Sequence, residues 1–320
     1  IMPKRIDRLV MFKRKQVAPE RRTGKALLRG TEVFPYGYFT KGNSVQEVVY
    51  RSDSIAAAIA QRKPQKTEYT PKKAEKPQKI ENAVKNLTDK QEGVEAQVVL
   101  DCYLIAGMCA HCIDCMVYGY AAVEGEGARK ARVLTDSCFS VRPYPLVTER
   151  KKFNYIDEQE HTSGTITEFD HTRPHTFFPS VVTTVDLTLD EFVYVLNNLL
   201  RTSRYGKEVA HIGLMENHLL AIAFSDVELF SNLEFSQAFY DAFKESTETK
   251  MEEGLSLQDF LDREKKVIEN LTKDLNGRLT LIRDEKLTSI LSQMKELNQN
   301  EERLTTFLKE LNRQAASFVV

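Results

Sequence analysis

The sequence predicts an α+β fold: a body of short strands and helices in mixed order, followed by a helical C-terminal segment. Up to about residue 240, strand-like and helix-like segments follow one another without the strict alternation of a doubly wound parallel sheet. From Leu255 onward, apolar residues recur at spacings of three and four, which is the period of a helix that buries one face. No internal repeat is visible. The 320 residues therefore predict one large domain or two modest ones.

Composition and charge are those of a globular protein and exclude several other classes. The chain is 42% hydrophobic and 28% charged, and no apolar run reaches the ~18 residues that span a bilayer. The basic start lacks the apolar core and cleavage site of a signal peptide. We expect a cytoplasmic protein without a membrane partner. The formal net charge is −1, but residues 1–30 hold ten Lys or Arg against two acids, and such a segment can attract a polyanion.

The N-terminal part of the chain begins with the apolar segment RLVMF (8–12), which predicts a strand. In the basic segment that follows, Pro19 suits the first turn of a helix, Thr23 its cap and Gly30 its end. The segment SVQEVVYRSDSIAAAIAQR predicts a strand and then a short helix. Residues 62–93 are rich in Lys and Pro and poor in apolar residues, so we expect a mobile loop there.

The middle of the chain is predicted to be mainly β. Residues 94–107 are apolar and strand-like and lead into a cysteine cluster. Residues 131–147 alternate as in a strand with a turn at Pro143–Pro145. The polar residues 148–180 predict a long hairpin-like loop, and a further strand is expected over 180–189.

The remainder of the chain is predicted to be mainly helical. Asp190 is expected to cap an amphipathic helix that ends at Gly206. The segment HIGLMENHLLAIAFSDVELFSN predicts a strand, and EFSQAFYDAFKE predicts a helix. Three C-terminal helices, with breaks near Gly277 and Asn300, complete the prediction.

Four of the five cysteines follow the spacing C-x6-C-x2-C-x2-C, formed by Cys102, Cys109, Cys112 and Cys115. Four thiolates fill the tetrahedral shell of Zn²⁺ and leave no position for a substrate, so the pattern predicts a structural zinc site. His111 lies inside the turn and is an alternative ligand. An iron–sulfur cluster uses similar donors, and buried free thiols are the simplest alternative. A thioredoxin-like redox pair is disfavoured, because the surrounding sequence does not resemble a βαβ unit.

Two groups of basic residues are candidate phosphate ligands. The first group comprises Lys13, Arg14, Lys15, Arg21, Arg22 and Lys25. The second lies in the segment LLRTSRYGK, where Arg201 and Arg204 share a helix face among Ser, Thr and Tyr hydroxyl groups. Several cations on one surface bind a phosphate backbone with little dependence on base sequence. The alternatives are a solvated charged surface for the first group and complementation of the helix dipole for the second.

Asp136, in the segment RVLTDS, is the candidate for a catalytic residue, as a metal ligand or a base. A carboxylate without a partner is more often structural. His171 and His175 have a spacing that binds metal on a helix, but Pro174 disfavours a helix, and we expect a surface loop. We therefore expect no enzyme activity. A metal-dependent nuclease that uses Asp136 and the histidines around 161–175 is the alternative.

Four blocks of sequence, in order, resemble the backbone-subunit family of type I-D CRISPR surveillance complexes. The blocks are RLVMFKRKQVAPERRTGKALLR, CAHCIDCMVYG with the downstream RVLTDSCFS, DEFVYVLNNLLRTSRYG, and AIAFSDVELFSNLE. The resemblance implies an RRM-like, ferredoxin-like palm with finger and thumb insertions. It also implies that several copies stack along a CRISPR RNA, hold it mainly through its backbone, and present its bases to a target DNA or RNA strand.

The resemblance further implies a role for each region of the chain. The palm would span 1–250, with the mobile loop 62–93, a zinc-binding finger region at 94–130 and a thumb-like loop at 148–180, and the helical segment 251–320 would follow. The guide-RNA contacts would be Lys13, Arg14, Lys15, Arg21, Arg22, Lys25, Arg132, Arg201 and Arg204. The implied partners are the CRISPR RNA, the target strand, further copies of the chain, and the large and repeat-end-binding subunits of the complex.

The sequence departs from the family pattern at both ends. The family has a strand and a helix ahead of the RLVMF block, and Ile1 before Met2 leads us to expect further sequence upstream. The helical segment after residue 250 is less typical of the family. Type III relatives cut target RNA with a loop aspartate, and Asp136 is the nearest candidate here. A zinc-ribbon interaction module with solvated basic patches is the remaining alternative.

Overall fold

The structure, a computed structural model, describes residues 6–41, 44–50, 94–99, 102, 108–121, 128–153, 167–205, 213–246, 248–275 and 277–318. The loop predicted at 62–93 lies outside these residues. Within them, short strands and many helices follow one another in mixed order, which confirms the α+β fold. None of the described helices combines the length and the apolar character needed to cross a membrane.

The strands are short and pair in small sheets of two or three. They are β1 (Arg8–Met11), β2 (Tyr36–Lys41), β3 (Ser44–Tyr50), β4 (Val94–Val99), β5 (Tyr120–Ala121), β6 (Ala128–Arg129), β7 (Val133–Thr135), β8 (Cys138–Pro143), β9 (Thr148–Phe153), β10 (Thr167–Thr172), β11 (Val182–Thr184), β12 (Ile222–Ser225) and β13 (Leu279–Ile282). The helices are α1 (Lys13–Gly30), α2 (Ile113–Tyr118), α3 (Tyr144–Val147), α4 (Leu189–Arg201), α5 (Asn232–Ser246), α6 (Glu248–Glu253), α7 (Leu257–Thr272), α8 (Asp284–Gln299) and α9 (Glu301–Ser317).

The chain divides into two compact units, and each unit is assembled from three separate segments. The first unit comprises Ile1–Val17, Thr135–Val182 and Leu219–Asp284. The second unit comprises Ala18–Leu134, Thr183–His218 and Glu285–Val320. The predicted helical segment 251–320 thus contributes to both units. The domain boundary near residue 250 stays a prediction.

The core of the first unit is aromatic. On α5, Phe235, Phe239 and Phe243 recur every four residues and therefore form one stripe along the helix. The ring of Phe260 on α7 lies 4.8 Å from that of Phe239 and 5.0 Å from that of Phe243, centroid to centroid. Val141 of β8 belongs to the same buried cluster. The predicted helix EFSQAFYDAFKE is confirmed, and its apolar face packs on β8 and α7.

Three antiparallel strand pairs belong to the first unit. Strand β1 pairs with β8, with Val10 opposite Phe139. Strand β12 pairs with β13, with Ile222 opposite Ile282. Strands β9 and β10 pair along their whole length. The hairpin-like loop expected over 148–180 is therefore present in the described residues as the β9–β10 hairpin.

The second unit contains a three-stranded antiparallel sheet in which β2 lies between β3 and β4. Tyr36 of β2 is fully buried. Helix α9 packs against β3, where the Tyr50 hydroxyl donates to the Lys309 carbonyl at 2.6 Å. Asn300 is the N-cap of α9, and its side chain accepts a hydrogen bond from the Arg303 N–H at 2.9 Å. The helix break predicted at Asn300 is confirmed.

Helix α1 begins at Lys13, ahead of the start predicted at Pro19. Pro19 lies inside the helix, where it has no N–H to donate to the carbonyl of Lys15, and Thr23 is an interior residue instead of a cap. The prediction treated proline as a helix start, but tertiary contacts further along α1 hold the helix through this defect. The predicted end at Gly30 is confirmed.

Helix α4 is capped by Thr188 and not, as predicted, by Asp190. The Thr188 hydroxyl accepts from the Glu191 N–H at 3.3 Å, and the Glu191 carboxylate accepts from the Thr188 N–H at 2.9 Å. This reciprocal pair is a capping box, which a threonine three residues ahead of a glutamate favours. The helix ends at Arg201, ahead of the predicted end at Gly206.

Two predicted strands are shorter in the structure. The strand expected over 180–189 is reduced to β11, because the residues after it form the cap and first turn of α4. The strand expected in HIGLMENHLLAIAFSDVELFSN is reduced to β12. Leu220 and Ala221, which precede β12, lie outside that strand and pack against the aromatic core. A run of apolar residues indicates that the segment is buried, but a buried segment need not be a β-strand.

Candidate metal centre and nucleic-acid interface

Four thiol groups converge in the second unit. The Sγ atoms of Cys102, Cys109, Cys112 and Cys115 all lie within 4.8 Å of one another, and the four residues are buried and free of disulfides. The Sγ atom of Cys115 lies 3.3 Å from that of Cys102 and 4.0 Å from that of Cys109. Sulfurs bound to Zn²⁺ at ~2.3 Å form a tetrahedron with edges of roughly 3.8 Å. The donor set predicted from the spacing is therefore assembled and fits a metal such as zinc.

The backbone of the turn is arranged to hold negative sulfur. The N–H of Cys109 donates to Sγ of Cys102 at 3.4 Å, and the N–H of Cys112 donates to Sγ of Cys109 at 3.3 Å. Ala110 adopts a left-handed φ of 64°, which turns the chain between the two cysteines. Helix α2 begins directly after Cys112. We call Cys102 together with residues 108–118 the cysteine knuckle.

The electrostatics of the cysteine knuckle favour a bound cation. Hydrogen bonds from neighbouring thiols, Cys109 foremost, lower the pKa of Cys102, and the Lys25 ammonium lowers it further. Burial raises the pKa of Cys112. The buried thiols cannot all ionise without a compensating positive charge, and a divalent metal supplies that charge as it displaces their protons.

His111, the alternative ligand, lies inside the turn but outside the ligand set. Its ring centroid is 4.8 Å from that of Tyr38. Burial lowers the pKa of His111, so the imidazole is held in its neutral form. Four cysteines converge without it.

A buried carboxylate lies beside the cysteines. Asp114 precedes Cys115 in α2 and is fully buried. Arg21 of α1 donates to both of its oxygens, at 3.2 and 2.6 Å, and the Lys25 ammonium lies 3.4 Å from Oδ2. Two predicted phosphate ligands are therefore engaged in ion pairs within the second unit. Their contact with RNA stays a prediction.

A cleft of about 150 Å³ brings the two predicted basic groups together. It is lined by Pro19, Arg22, Thr23, Arg201, Thr202, Ser203 and Arg204, all in the second unit. Arg22, Arg201 and Arg204 are exposed. We call this feature the cationic cleft. The two walls of the cationic cleft are far apart in sequence. Each basic group could therefore be recognised in the sequence, but their proximity in the fold could not.

Close contact between α1 and α4 fixes the two walls of the cationic cleft. A Cβ atom on Gly24 would lie 2.4 Å from Nδ2 of Asn198 and 2.6 Å from the Tyr194 hydroxyl, so a side chain at this position would force Asn198 and Tyr194 to shift. The Thr202 hydroxyl donates to Oγ1 of Thr23 at 2.9 Å. The wall on α1 and the wall after α4 are therefore held in register.

A set of hydrogen-bonded polar side chains supports the wall that follows α4. Asn217 donates to the Tyr205 hydroxyl at 2.7 Å and to the Thr202 carbonyl at 3.0 Å. The Tyr205 hydroxyl in turn donates to Glu20 at 3.4 Å. Burial raises the pKa of Glu20 to about 7. These contacts fix the backbone on both sides of Arg204.

The remaining predicted RNA contacts lie elsewhere. Lys13, Arg14 and Lys15 lie at the start of α1, in the first unit, where Lys13 and Arg14 are exposed and Lys15 is half-buried. Arg132 forms an ion pair with Glu191 and donates to the carbonyls of Met116 and Asp186, at 3.1 and 2.7 Å. These bonds direct its guanidinium into the second unit, where it connects α2 to the start of α4.

Asp136 stands on a turn between β7 and β8 with its side chain exposed. Its carboxylate accepts from the Ser137 N–H at 2.7 Å, and its carbonyl accepts from Asn232 at 3.3 Å. The convergent metal-ligating group found in the described part of the chain is the four-cysteine set, which does not include Asp136. His171 lies in β10 and His175 lies beyond that strand, so the two do not share a helix.

Sequence reasoning missed Asp114 and Asn312. The Asn312 side chain, buried on α9, accepts from the Ile113 N–H at 3.1 Å and so braces the first turn of α2. The signal for Asp114 was present: a charged residue within the otherwise apolar IDCMVY, and Arg21 and Lys25 four residues apart on one helix face. The signal for Asn312 was not present, because its partner is distant in sequence.

Comparison with known proteins identifies a family and a similar solved structure. A protein-family model described as Csc2 Crispr matches residues 2–308. The chain is similar to the protein in the crystal structure of Thermofilum pendens Csc2, with 17% sequence identity and a TM-score of 0.46, over 97% of this chain and 75% of that one. No curated protein matches.

Proposed function

The chain belongs to the Csc2 family of CRISPR-associated proteins, and from this premise we propose that it is a guide-RNA-binding backbone subunit of a type I-D interference complex. In this role several copies bind along one CRISPR RNA through its phosphate backbone and leave the bases free to pair with a target strand. The other partners are the large subunit and the repeat-end-binding subunit.

The observation that carries the proposal is the convergence of Arg22, Arg201 and Arg204 on the cationic cleft. Guanidinium groups bind phosphate oxygens through paired, charge-assisted hydrogen bonds. Thr23 and Ser203 add hydroxyl groups to the same cleft. Contacts of this kind hold a nucleic-acid backbone and carry no base information. The cationic cleft therefore suits a subunit that must accept any guide sequence.

We assign a structural Zn²⁺ to the cysteine knuckle. Four thiolates complete its coordination shell, so the ion would bind no substrate and would act by tying Cys102 to the turn at 108–118. The free energy of metal binding then becomes folding free energy for this region. Elemental analysis distinguishes zinc from iron, and the colour of an iron–sulfur cluster would contradict the assignment.

The predicted regions are placed on the fold as part of the same proposal. We assign the thumb to the β9–β10 hairpin, the finger to the region that holds the cysteine knuckle, and an RRM-like palm to the remaining strands and helices up to residue 250. The subunit binds without cutting.

Replacing the three cleft arginines by glutamine tests the function. Arg22→Gln, Arg201→Gln and Arg204→Gln should each weaken binding to labelled RNA of any sequence. Each lost phosphate contact should lower the slope of log affinity against log salt by about 0.7. Fluorescence anisotropy titrations at several salt concentrations measure both quantities. Arg201 also donates to Oδ1 of Asn298 at 3.2 Å, so thermal unfolding of each variant checks that the fold is intact.

The matched control is Arg303→Gln, which removes an exposed arginine of α9 in the same unit. It should leave the affinity and the salt slope unchanged. A triple cleft variant that binds RNA as tightly as the wild type would contradict the role of the cationic cleft. An equal loss of RNA affinity in the control would show that only the overall charge of the protein matters.

A further inference from the structure

Helix α1 is held from two sides within the second unit. On one side, Arg21 and Lys25 form ion pairs with Asp114 of the cysteine knuckle. On the other side, Gly24 and Thr23 contact α4 and the residue that follows it. The residues of α1 that line the cationic cleft therefore lie in the same helical turn as Arg21 and Lys25, which contact the cysteine knuckle.

The ion pairs on Asp114 are sheltered and differ from ordinary surface salt bridges. The Asp114 side chain is 0% exposed, and those of Arg21 and Lys25 are 23% and 12% exposed. Arg21 also lies over the Tyr118 ring, with its guanidinium carbon 5.6 Å from the centroid. Sheltered pairs of this kind resist salt, and the loss of one partner leaves a buried charge uncompensated.

The charges of a loaded cysteine knuckle strengthen this arrangement. Four thiolates around a divalent metal carry a net charge of about −2, and Asp114 adds a further negative charge. Arg21 and Lys25 are the cations that oppose it. Metal-ligand groups are commonly oriented by such outer partners. Loading the cysteine knuckle should therefore draw α1 into one position.

We propose that Asp114 is a positioning residue that couples metal binding in the cysteine knuckle to RNA binding in the cationic cleft, with α1 as the connecting helix. The inference rests on the proposed function and adds a linkage between two sites. Arg22 and Thr23 lie between Arg21 and Lys25 in sequence, so a displacement of α1 from the cysteine knuckle moves one wall of the cationic cleft. Coupling of binding sites is reciprocal, so RNA must also strengthen the hold on the metal.

Substitution of Asp114 by asparagine separates this account from simple electrostatics. Asp114→Asn removes a negative charge near the cationic cleft and releases two cations, so charge alone predicts tighter RNA binding. The positioning role predicts weaker binding, by about five- to tenfold, which is at the low end for coupled sites. The salt slope should not change, because no phosphate contact is lost. Metal content should also be unchanged, because the four thiols remain.

The reciprocal effect is measured by the equilibrium distribution of the metal between the protein and a chromophoric chelator. Oligouridylate should shift this distribution towards the wild-type protein and have little effect on Asp114→Asn. A residue with a merely structural role would lower thermal stability but would not change the effect of RNA on the metal distribution. Glu302→Gln, an exposed carboxylate of α9, is the control and should behave as the wild type in both assays.

Arg21→Lys keeps the charge of the pair while losing its two-point contact with Asp114, and it decides the question if Asp114→Asn does not fold. It should weaken RNA binding and reduce the protection of the metal by RNA. A wild type that binds RNA, with variants that bind equally well or more tightly, overturns the coupling alone. A wild type that binds no RNA overturns the proposed function.

Discussion

Two buried carboxylates on and beside α1 show how environment decides the role of a residue. Asp114 lies between two cations and holds a helix in place. Glu20 is 5% exposed, and its carboxylate accepts a hydrogen bond from the hydroxyl group of Tyr205 at 3.4 Å. Burial therefore raises the pKa of Glu20 to about 7. The two acids lie in the same unit.

Glu20 should make the stability of the protein depend on pH near neutrality. Its pKa is raised from 4.5 to about 7 in the folded state, so the folded protein binds the proton more tightly than the unfolded chain. The stability that this proton contributes is fully present below pH 4.5 and is lost as the pH rises through about 7. It amounts to at most about 3 kcal/mol. Glu20→Gln should remove this part of the pH dependence.

Urea unfolding of the wild type and of Glu20→Gln across this pH range measures the effect. The difference in unfolding free energy between them should move in favour of the glutamine variant as pH rises. Glu302→Gln, which alters an exposed acid, should parallel the wild type. Parallel curves for the Glu20 variant would show that the carboxylate titrates as an ordinary one.

At the scale of elements, α1 illustrates the limit of local signals. The strand before it and its end at Gly30 could be predicted from the apolar pattern and the glycine. The start of α1 could not be predicted, because proline is common in the first turn of a helix and Pro19 therefore indicated a later start. Contacts with the cysteine knuckle and α4 override it. The capping box of α4 was present in the sequence, and Thr188 and Glu191 would have identified it.

The approach of α1 to α4 yields a prediction about Gly24. Gly24→Ala should destabilise the protein, because the added Cβ would lie within 2.7 Å of buried atoms of Asn198 and Tyr194. Overpacking of this kind costs about 1–3 kcal/mol, against a gain in helix propensity of roughly 1 kcal/mol. The net result is a lower midpoint of urea unfolding, and weaker RNA binding through the displaced wall.

Gly30→Ala is the matched control for this prediction. Gly30 lies in the same helix with nothing within 4 Å of its would-be Cβ, so its replacement should be neutral or slightly stabilising. If the two variants unfold at the same urea concentration, the contact between α1 and α4 does not limit packing there.

At the scale of the whole molecule, the sequence predicts class and chemistry better than organisation. The α+β class and the helices rich in periodic apolar residues were predictable, because both follow from patterns within one segment. The division into two units was not, since each unit is built from three segments brought together by long-range contacts. Residues 251–320 were predicted to form one helical segment, but they contribute to both units.

The candidate sites follow the same rule. The cysteine ligands were predictable because Cys109, Cys112 and Cys115 are close in sequence and their spacing suits one ion. The cationic cleft was predictable only as two unrelated motifs, Arg22 with its neighbours and Arg201 with Arg204. Its assembly depends on Gly24, which matters because Asn198 and Tyr194 of α4 pack directly against it.

The proposed function depends on binding of RNA through its phosphate backbone. The most direct test is the affinity of the metal-loaded wild type for several RNAs of unrelated sequence, measured across a range of salt concentrations. Binding through the phosphate backbone should give similar affinities for all of them and a steep, linear fall of log affinity with log salt. An affinity that is insensitive to salt, or confined to one sequence, would contradict it.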